Sequence, residues 1–364
     1  SHSLDYDDTH FAHVGHLSVG IYPAALAIAE MQDASAEELV TSFLLGAESA
    51  IRVGMTLGRD HYNHGFHQTA TAGAFGATLA AGRLLGLDHS QMRHAIGLCA
   101  TRASGLTSQF GSMGKPYNAG IAAANGVECS MLASIGFTSA DDGLMGDQGF
   151  VGTHRPGGGV APEPDMAFDR YLFPDNKYKL HACCHGLHSM IEALQAARDV
   201  NGVSINDIST FYLSTNPRWL AVCDIKQPRT GLEVKFSYNW LAGMTLRGDD
   251  TGDDRLFTDS IAGDAELKRF AERISVVGDA GLTDLQISGT INLTDGRTIP
   301  LWFDLAEPFT TEVLAEKLQR KSSTIIGEAS AAIWNLYPRF GQLGARDIAA
   351  ELVAASASWE TKNS

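Results

Sequence analysis

The chain opens with a dense group of ionisable side chains. Three carboxylates, one aliphatic hydroxyl and three imidazoles fall within residues 5–16. They are Asp5, Asp7, Asp8, Thr9, His10, His13 and His16. Such groups are costly to bury, and groups with perturbed titration cluster at functional sites. The alternative is an acidic turn followed by capping residues. We interpret residues 5–16 as part of a functional site.

Histidine recurs at short spacing in two further places. These groups are His61, His64 and His67, and His181, His185 and His188. On a helix this spacing would place imidazoles on one face, where they could bind zinc. No HExxH sequence is present, and the groups at residues 10–16 and 61–67 fall in predicted loops, where the spacing defines no face. Histidine also acts as a base or a neutral hydrogen-bond donor. We therefore prefer proton chemistry and keep a metal site as the alternative.

Two lysines could supply positive charge for an anionic substrate. Lys115 lies between Gly114 and Pro116, just before a predicted helix whose first amides also bind anions. Lys179 stands close to His181 in sequence. A solvated surface charge is the ordinary role of lysine. A base, an acid and cations together indicate proton transfer on a carboxylate substrate.

Composition excludes several other classes of function. The net charge of −15 leaves no basic patch for nucleic acid. No apolar run approaches the roughly 20 residues of a membrane-spanning helix. The five cysteines match no zinc or disulfide framework, which indicates a reduced, cytoplasmic setting. Dinucleotide, Walker A and GxSxG sequences are absent, so no cofactor and no metal is predicted.

Helical patterns dominate the first part of the chain. Ser35 and Glu38 form a capping-box sequence before a long helix, and residues 71–85 form a helix of small residues that lets neighbours approach closely. Further helices are predicted at residues 23–31, 87–106 with Ser90 as N-cap, and 119–135, with a short one after Ser139. The polar segments 60–69 and 109–118 are predicted loops. The Gly/Pro-rich segment 153–164 is a predicted linker.

The pattern changes after that linker. Strands are predicted at residues 208–214, 274–277 and 285–303, with a hairpin turn at Asp295-Gly296. Helices are predicted at residues 188–200, 237–246 and 265–272, and again from residue 311. These patterns predict a mainly α protein with an α+β second domain. The predicted boundaries are a helical domain at residues 1–172, an α/β domain at 173–305 and a helical return at 306–364.

Several segments together resemble the MmgE/PrpD family. They are LDYDDTH, GFHQTATAGAFGATLAAGRLLGL, GKPYNAGIAAANGV, GFTSADDGLMGDQGF and YKLHACCHGLHSMIEAL, with a looser match at KFS, residues 235–237. The resemblance implies a large all-helical domain, a smaller α/β lid domain, an active site in the cleft between them, and a homodimer without a cofactor. Family members carry more helical residues before the first motif, so we expect the sequence to be incomplete.

The resemblance also implies which residues act. Asp5, His16, His67 and Lys115 are the expected catalytic residues, with Asp5 orienting an imidazole. Thr9, Lys179 and Trp240 are expected to bind substrate. The match at His16 requires a one-residue insertion, so His13 is a rival. Trp240 stands where the family has a tyrosine, with Tyr238 two positions earlier; Asp7, Asp8, His10 and His13 are assigned turn, cap or surface roles.

The expected reaction is removal of a proton next to a carboxylate of a small di- or tricarboxylate. A lyase similar to 2-methylcitrate dehydratase is the first expectation. An epimerase similar to iminodisuccinate epimerase and an enzyme similar to cis-aconitate decarboxylase are the alternatives. A non-catalytic carboxylate-binding or dimerisation scaffold is the alternative from another class.

Overall fold

The computed structural model describes residues 6–110, 112–155 and 169–363, with side chains described as far as residue 357. The chain divides into two compact units. Unit 1 comprises Ser1–Tyr178 and Glu328–Ser364, and unit 2 comprises Lys179–Gly327. Unit 1 is helical, and unit 2 contains a four-stranded sheet with helices. The predicted class, mainly α with an α/β second domain, is confirmed.

Within the described residues, six α-helices of unit 1 precede the second unit. They are α1 (Ser18–Gln32), α2 (Ala36–Asn63), α3 (Gln68–Leu84), α4 (His89–Arg102), α5 (Gly114–Ser134) and α6 (Phe150–His154). Helix α3 packs against α1, α2, α4 and α5. Almost every residue of α3 is buried, as its alanines, glycines and threonines allow. The predicted linker extends into residues 156–168, which lie outside the described residues.

Unit 2 follows, with seven helices and four strands among its described residues. They are α7 (His188–Asn201), β1 (Ile208–Thr215), α8 (Pro217–Cys223), α9 (Gly231–Val234), α10 (Tyr238–Arg247), α11 (Asp259–Ala262), α12 (Ala265–Ala271), β2 (Ile274–Gly278), β3 (Gln286–Leu293), β4 (Thr298–Asp304) and α13 (Thr311–Ile326). The sheet order is β2-β1-β3-β4, in which only the β1–β2 pair is parallel. The chain then returns to unit 1 with α14 (Ala329–Trp334) and α15 (Ala345–Asn363).

Two local predictions are confirmed. Ser35 and Glu38 form the reciprocal capping box, in which the Glu38 backbone N–H donates to Ser35 Oγ and the Ser35 backbone N–H donates to the Glu38 carboxylate. The Asp295-Gly296 turn joins β3 to β4, and Gly296 has a positive φ of 89°, a conformation that glycine adopts without strain.

Three other local predictions are wrong. The segment 60–69 is not one loop, because α2 continues to Asn63 and α3 begins at Gln68. Helix α4 has Asp88 rather than Ser90 as N-cap, since Asp88 and Gln91 form a capping box two residues earlier. The residues after Ser139 form turns, and Asp142 Oδ1 accepts a hydrogen bond from Met145 N at 2.9 Å there.

Glycine contacts set the position of α3. A Cβ atom added to Gly76 would lie 2.5 Å from the carbonyl oxygen of Gly46 on α2. On another side of α3, a Cβ atom added to Gly126 of α5 would lie 2.5 Å from the Cβ of Ala77. Real Cβ atoms do not approach other atoms so closely. The backbones of α2, α3 and α5 therefore meet where larger side chains would separate them.

We predict that Gly76→Ala destabilises unit 1 whereas Gly73→Ala on the same helix does not. The added methyl at residue 76 meets a backbone oxygen that cannot yield, and overpacking costs roughly 1–3 kcal/mol. A methyl at residue 73 meets nothing within 4 Å and gains up to about 1 kcal/mol in helix propensity. Urea unfolding of both variants checks this. Equal stability of the two variants would contradict the close packing.

Candidate active site

The segment before α1 is held in place by the carboxylate of Asp8. This side chain is buried and accepts hydrogen bonds from the backbone N–H groups of Leu17 and Ser18, from Ser18 Oγ at 2.6 Å and from Asn176 Nδ2 at 2.7 Å. The backbone of Thr9 adds two hydrogen bonds with Lys177. Asp8 therefore caps the start of α1, and its predicted turn or cap role is confirmed.

His16 lies half-buried at the end of this segment. Its Nδ1 is 2.5 Å from the carbonyl oxygen of Asp8, 2.8 Å from Asp7 Oδ2 and 3.3 Å from Thr9 Oγ1. A carbonyl and a carboxylate can only accept hydrogen bonds, so Nδ1 carries the proton. In the neutral ring the lone pair is then on Nε2. This is the tautomer of a general base.

His67 has the opposite tautomer. It is the N-cap residue of α3 and is buried, and its Nδ1 is 3.2 Å from Asn118 Nδ2. The same Nδ2 donates to the carbonyl oxygen of Leu106 at 3.1 Å, which fixes the orientation of the amide because a carbonyl cannot donate. Nδ1 of His67 therefore accepts, and the neutral ring carries its proton on Nε2. This is the tautomer of a proton donor.

The first turn of α3 holds both histidines. His67 caps this turn, and Thr69 Oγ1 within it accepts a hydrogen bond from the backbone N–H of His16 at 3.0 Å. A Cβ added to Gly15 would lie 2.9 Å from the backbone nitrogen of Thr69. The chain at residues 15–16 therefore lies directly against α3, so the same turn fixes the backbone positions of the base candidate and the acid candidate.

Lys115 joins this group through Phe110. Its Nζ lies 5.8 Å from the centroid of the Phe110 ring, and that ring meets the His67 ring edge to face at 4.9 Å between centroids. Lys115 lies in the first turn of α5 rather than in a loop before it. A Cβ atom at Gly114 would lie 2.3 Å from Gln109 Oε1, so a larger residue there would displace the Gln109 side chain. Thr9, His16, His67 and Lys115 are thus all placed by unit 1.

His10 and His13 are buried, so a surface role is wrong for both. Nε2 of His10 contacts the carbonyl oxygen of Leu172 at 3.0 Å, and Nδ1 of His13 contacts the carbonyl oxygen of Ala50 at 3.0 Å. Burial lowers the pKa of His10, and it lowers the pKa of His13 to about 3. His13 packs against Gly54, where a Cβ would lie 2.5 Å from its ring. Of the two rivals, His16 is half-buried and His13 is fully buried, and the choice of His16 stays a prediction.

The second histidine group also serves the fold in part. His61 lies in α2, with Nδ1 2.7 Å from the carbonyl oxygen of His154 and Nε2 3.0 Å from Thr71 Oγ1. Burial lowers its pKa to about 4. His64 is exposed at the end of α2. Among the described residues, no three His, Cys, Asp or Glu side chains are arranged to hold a metal ion.

Unit 2 places the third histidine group in a basic interior. His188 is buried, and its ring centroid lies 5.0 Å from that of His181 and 4.6 Å from that of His185. Burial lowers the pKa of His188 well below its ordinary value, and its cationic neighbours, Lys179 among them, lower it further. Lys179 is only 4% exposed.

One carboxylate balances part of this charge. Glu192 contacts His181 at 3.3 Å and Lys317 at 2.9 Å. Burial alone would raise the pKa of Glu192, but the hydrogen bonds and charges of His181 and Lys317 lower it to about 2.

Trp240 is a packing residue of unit 2. Its side chain is 1% exposed, and its indole N–H donates to the carbonyl oxygen of Ile261 at 3.0 Å. Tyr238 is also buried, and its hydroxyl donates to the carbonyl oxygen of Gly186 and contacts Thr215 Oγ1, each at 3.0 Å. A substrate contact by Trp240 stays a prediction. The Tyr238 hydroxyl is held by these protein contacts.

Two residues of the group, Asp7 and Asn118, were not predicted from the sequence. Asp7 was assigned a turn, cap or surface role, but its side chain is 4% exposed and lies against His16. Asn118 was not singled out, although it follows Lys115 by three residues, a spacing that places both on one side of a helix. Asp5 lies outside the described residues, so its predicted role stays a prediction.

Two protein-family models together match most of the chain. The model of the MmgE/PrpD N-terminal domain matches residues 1–162, and that of the MmgE/PrpD C-terminal domain matches residues 181–336. The chain belongs to the MmgE/PrpD family. The resemblance inferred from the sequence motifs is thereby confirmed. Members of this family are enzymes that act on small carboxylates.

Curated relatives that are similar to this MmgE/PrpD chain include cis-aconitate decarboxylases. The Aspergillus terreus enzyme is 32% identical over 207 residues, which are 53% of this chain and 42% of that protein. A cis-aconitate decarboxylase-like protein of Aspergillus oryzae is 31% identical over 211 residues, 53% of this chain and 43% of that protein. The Homo sapiens enzyme is 28% identical over 154 residues, 41% and 32% respectively. Each match spans less than half of the relative. None of the described helices is long and apolar enough to cross a membrane.

We predict that the His13→Asn variant takes up about one proton fewer than the wild type when it unfolds at pH 5. The unfolded histidine binds a proton near pH 6.5, whereas the folded one binds it near pH 3, so acid favours unfolding between these values. Proton uptake during urea unfolding in weak buffer measures the difference. At pH 8 both proteins should behave alike, since His13 is neutral in both states. Equal uptake at pH 5 would contradict the buried neutral assignment.

Proposed function

We propose that this MmgE/PrpD protein is a lyase of a small di- or tricarboxylate, in which His16 and His67 transfer protons next to a substrate carboxylate. The observation that carries the proposal is the pair of opposite tautomers. Asp8 holds the proton of His16 on Nδ1, and Asn118 holds the proton of His67 on Nε2. A base and an acid are therefore prepared before the substrate binds.

His16 acts as the base in this proposal. Its Nε2 takes the proton from the carbon next to a carboxylate, and the C–H electron pair is left on that carbon. Nδ1 keeps its own proton on the Asp8 carbonyl oxygen throughout. The ring becomes an imidazolium, and the Thr9 hydroxyl at 3.3 Å supports its orientation.

His67 acts as the acid. In a dehydration, the electron pair on carbon forms a double bond while the neighbouring hydroxyl leaves. The leaving oxygen takes the proton from Nε2 of His67 and departs as water, which leaves the His67 ring as an imidazolate. The proton that His16 took from the substrate is released to solvent, and solvent returns a proton to Nε2 of His67, so both rings end neutral. Nδ1 of His67 continues to accept from Asn118, which keeps the ring in position when its proton is lost and regained. None of these reaction steps transfers electrons to or from a cofactor.

Lys115 binds substrate charge in the proposal. Proton removal beside a carboxylate spreads negative charge onto the carboxylate oxygens, and a fixed cation stabilises this charge. Lys115 stands in the first turn of α5, and Phe110 connects it to His67. The N-terminal amides of α5 add to the positive potential, because the N-terminal end of a helix is its positive end.

Decarboxylation is the second candidate, because curated relatives include cis-aconitate decarboxylases. Loss of carbon dioxide breaks a C–C bond and leaves the electron pair on the substrate, where a proton must be added. This reaction needs an acid but no base, whereas dehydration needs both. The dependence of the rate on His16 and His67 therefore separates the two candidates.

We predict that His16→Gln and His67→Gln each lower dehydratase turnover by roughly 10²–10⁴-fold, the range that general acid–base catalysis contributes. The assay incubates the protein with 2-methylcitrate, cis-aconitate and iminodisuccinate in deuterated water and follows product and deuterium incorporation. His64→Gln is the matched control, since His64 is exposed at the end of α2. Decarboxylation that needs His67 but not His16 would favour the second candidate. Neither product nor exchange with any substrate would favour a non-catalytic scaffold, and activity that requires a bound metal would contradict the proposal.

We also predict that Lys115→Ala raises KM for the active carboxylate by about 10–100-fold, as loss of a charged hydrogen bond does. Lys115→Arg should restore part of the affinity, because it returns the charge. Arg93→Ala is the control for loss of one positive charge, since Arg93 of α4 pairs with Asp141 and lies on an exposed surface. A KM that is unchanged in Lys115→Ala would remove Lys115 from substrate binding.

A further inference from the structure

Within the described part of the chain, two buried carboxylates lie close to His16 in sequence, and they have different surroundings. The Asp8 carboxylate is held by the start of α1 and by Asn176, so its charge is used to cap the helix. The Asp7 side chain is 4% exposed, and its Oδ2 lies 2.8 Å from Nδ1 of His16. Asp7 is therefore the carboxylate whose charge acts directly on the His16 ring.

The contact between Asp7 and His16 is a charge contact more than a hydrogen bond. The Nδ1 proton of His16 is directed to the Asp8 carbonyl oxygen, which at 2.5 Å is the nearer acceptor. The Asp7 carboxylate consequently contributes its negative charge beside the ring, while the carbonyl fixes the tautomer. A charge this close and this buried interacts strongly with a second charge, because little water screens the pair.

We propose that Asp7 is a positioning residue that stabilises the imidazolium of His16 after His16 has taken the substrate proton. This inference rests on the proposed function of His16 as the base. In the step, the substrate C–H bond breaks and an N–H bond forms at Nε2, so the ring gains one positive charge. Asp7 stays ionised, takes no proton and touches no substrate. Its charge lowers the energy of the imidazolium relative to the neutral ring.

The test compares Asp7→Asn, Asp7→Glu and the structural control Ser35→Ala with the wild type across the pH range. Asp7→Asn keeps the size of the side chain and removes the charge. We expect kcat to fall by roughly 10–1000-fold with little change in KM. We also expect the low-pH side of the kcat/KM profile, its acidic limb, to move to lower pH, since an opposite charge nearby favours the protonated ring. Asp7→Glu should return the limb toward its wild-type position.

Ser35→Ala separates this effect from simple loss of structure. It removes the side-chain cap of α2 in unit 1, so we expect a lower melting temperature with the acidic limb in place. If Asp7→Asn lowers the melting temperature and leaves the acidic limb unmoved, Asp7 has only a structural role and the inference is wrong.

A fall in activity through KM alone would contradict the inference equally. If the wild-type protein gives neither product nor deuterium exchange, both the proposed function and this inference are wrong. If the wild type is active and Asp7→Asn has the same kcat and pH profile, only the inference is wrong.

Discussion

The close approach of α2, α3 and α5 is the constraint on which the rest of unit 1 depends. Gly46 and Gly76 bring the backbones of α2 and α3 together, and Gly126 brings α5 onto Ala77. Because α3 is enclosed by its neighbours, its N-terminus cannot shift independently of the core. That N-terminus carries His67 as its cap and Thr69 in its first turn. The positions of the candidate acid and of the loop that bears the candidate base thus follow from glycine packing two to three helical turns away.

The histidines near the start of the chain are of two kinds. His10 and His13 are buried and neutral, and they make hydrogen bonds to backbone carbonyl groups of the helical core. His16 is half-buried and faces a carboxylate, a hydroxyl and a carbonyl group. Burial separates side chains of identical chemistry, because desolvation disfavours the charged form of a buried ring. The spacing of three residues therefore carries no chemical meaning here, since the segment is not helical.

Sequence predicted the elements whose signals are local. The capping box at Ser35, the turn at Asp295-Gly296 and the small-residue helix α3 each depend on residues that are neighbours along the chain. Where two local signals competed, the prediction failed, as at Ser90, where the Asp88–Gln91 pair starts the helix earlier. The contact of Asp7 with His16 and that of Asn118 with His67 connect residues separated by a loop or by 51 positions. Periodicity contains no information about such contacts, so the tautomers of the two histidines could not be predicted from sequence.

Asp8 shows why the fold and the candidate site cannot be separated. Its carboxylate caps α1, and its carbonyl oxygen accepts the Nδ1 proton of His16. The carbonyl can hold that proton only while the backbone at Asp8 is fixed, and the backbone is fixed by the cap and by the neighbouring Thr9–Lys177 hydrogen bonds. A helix start in the wrong place would thus change the tautomer of the base as well as the packing. The backbone geometry at Asp8 therefore fixes the tautomer of the candidate base in unit 1. A substitution of the Asp8 side chain would alter the chemistry of His16 through the backbone, without direct contact between the two side chains.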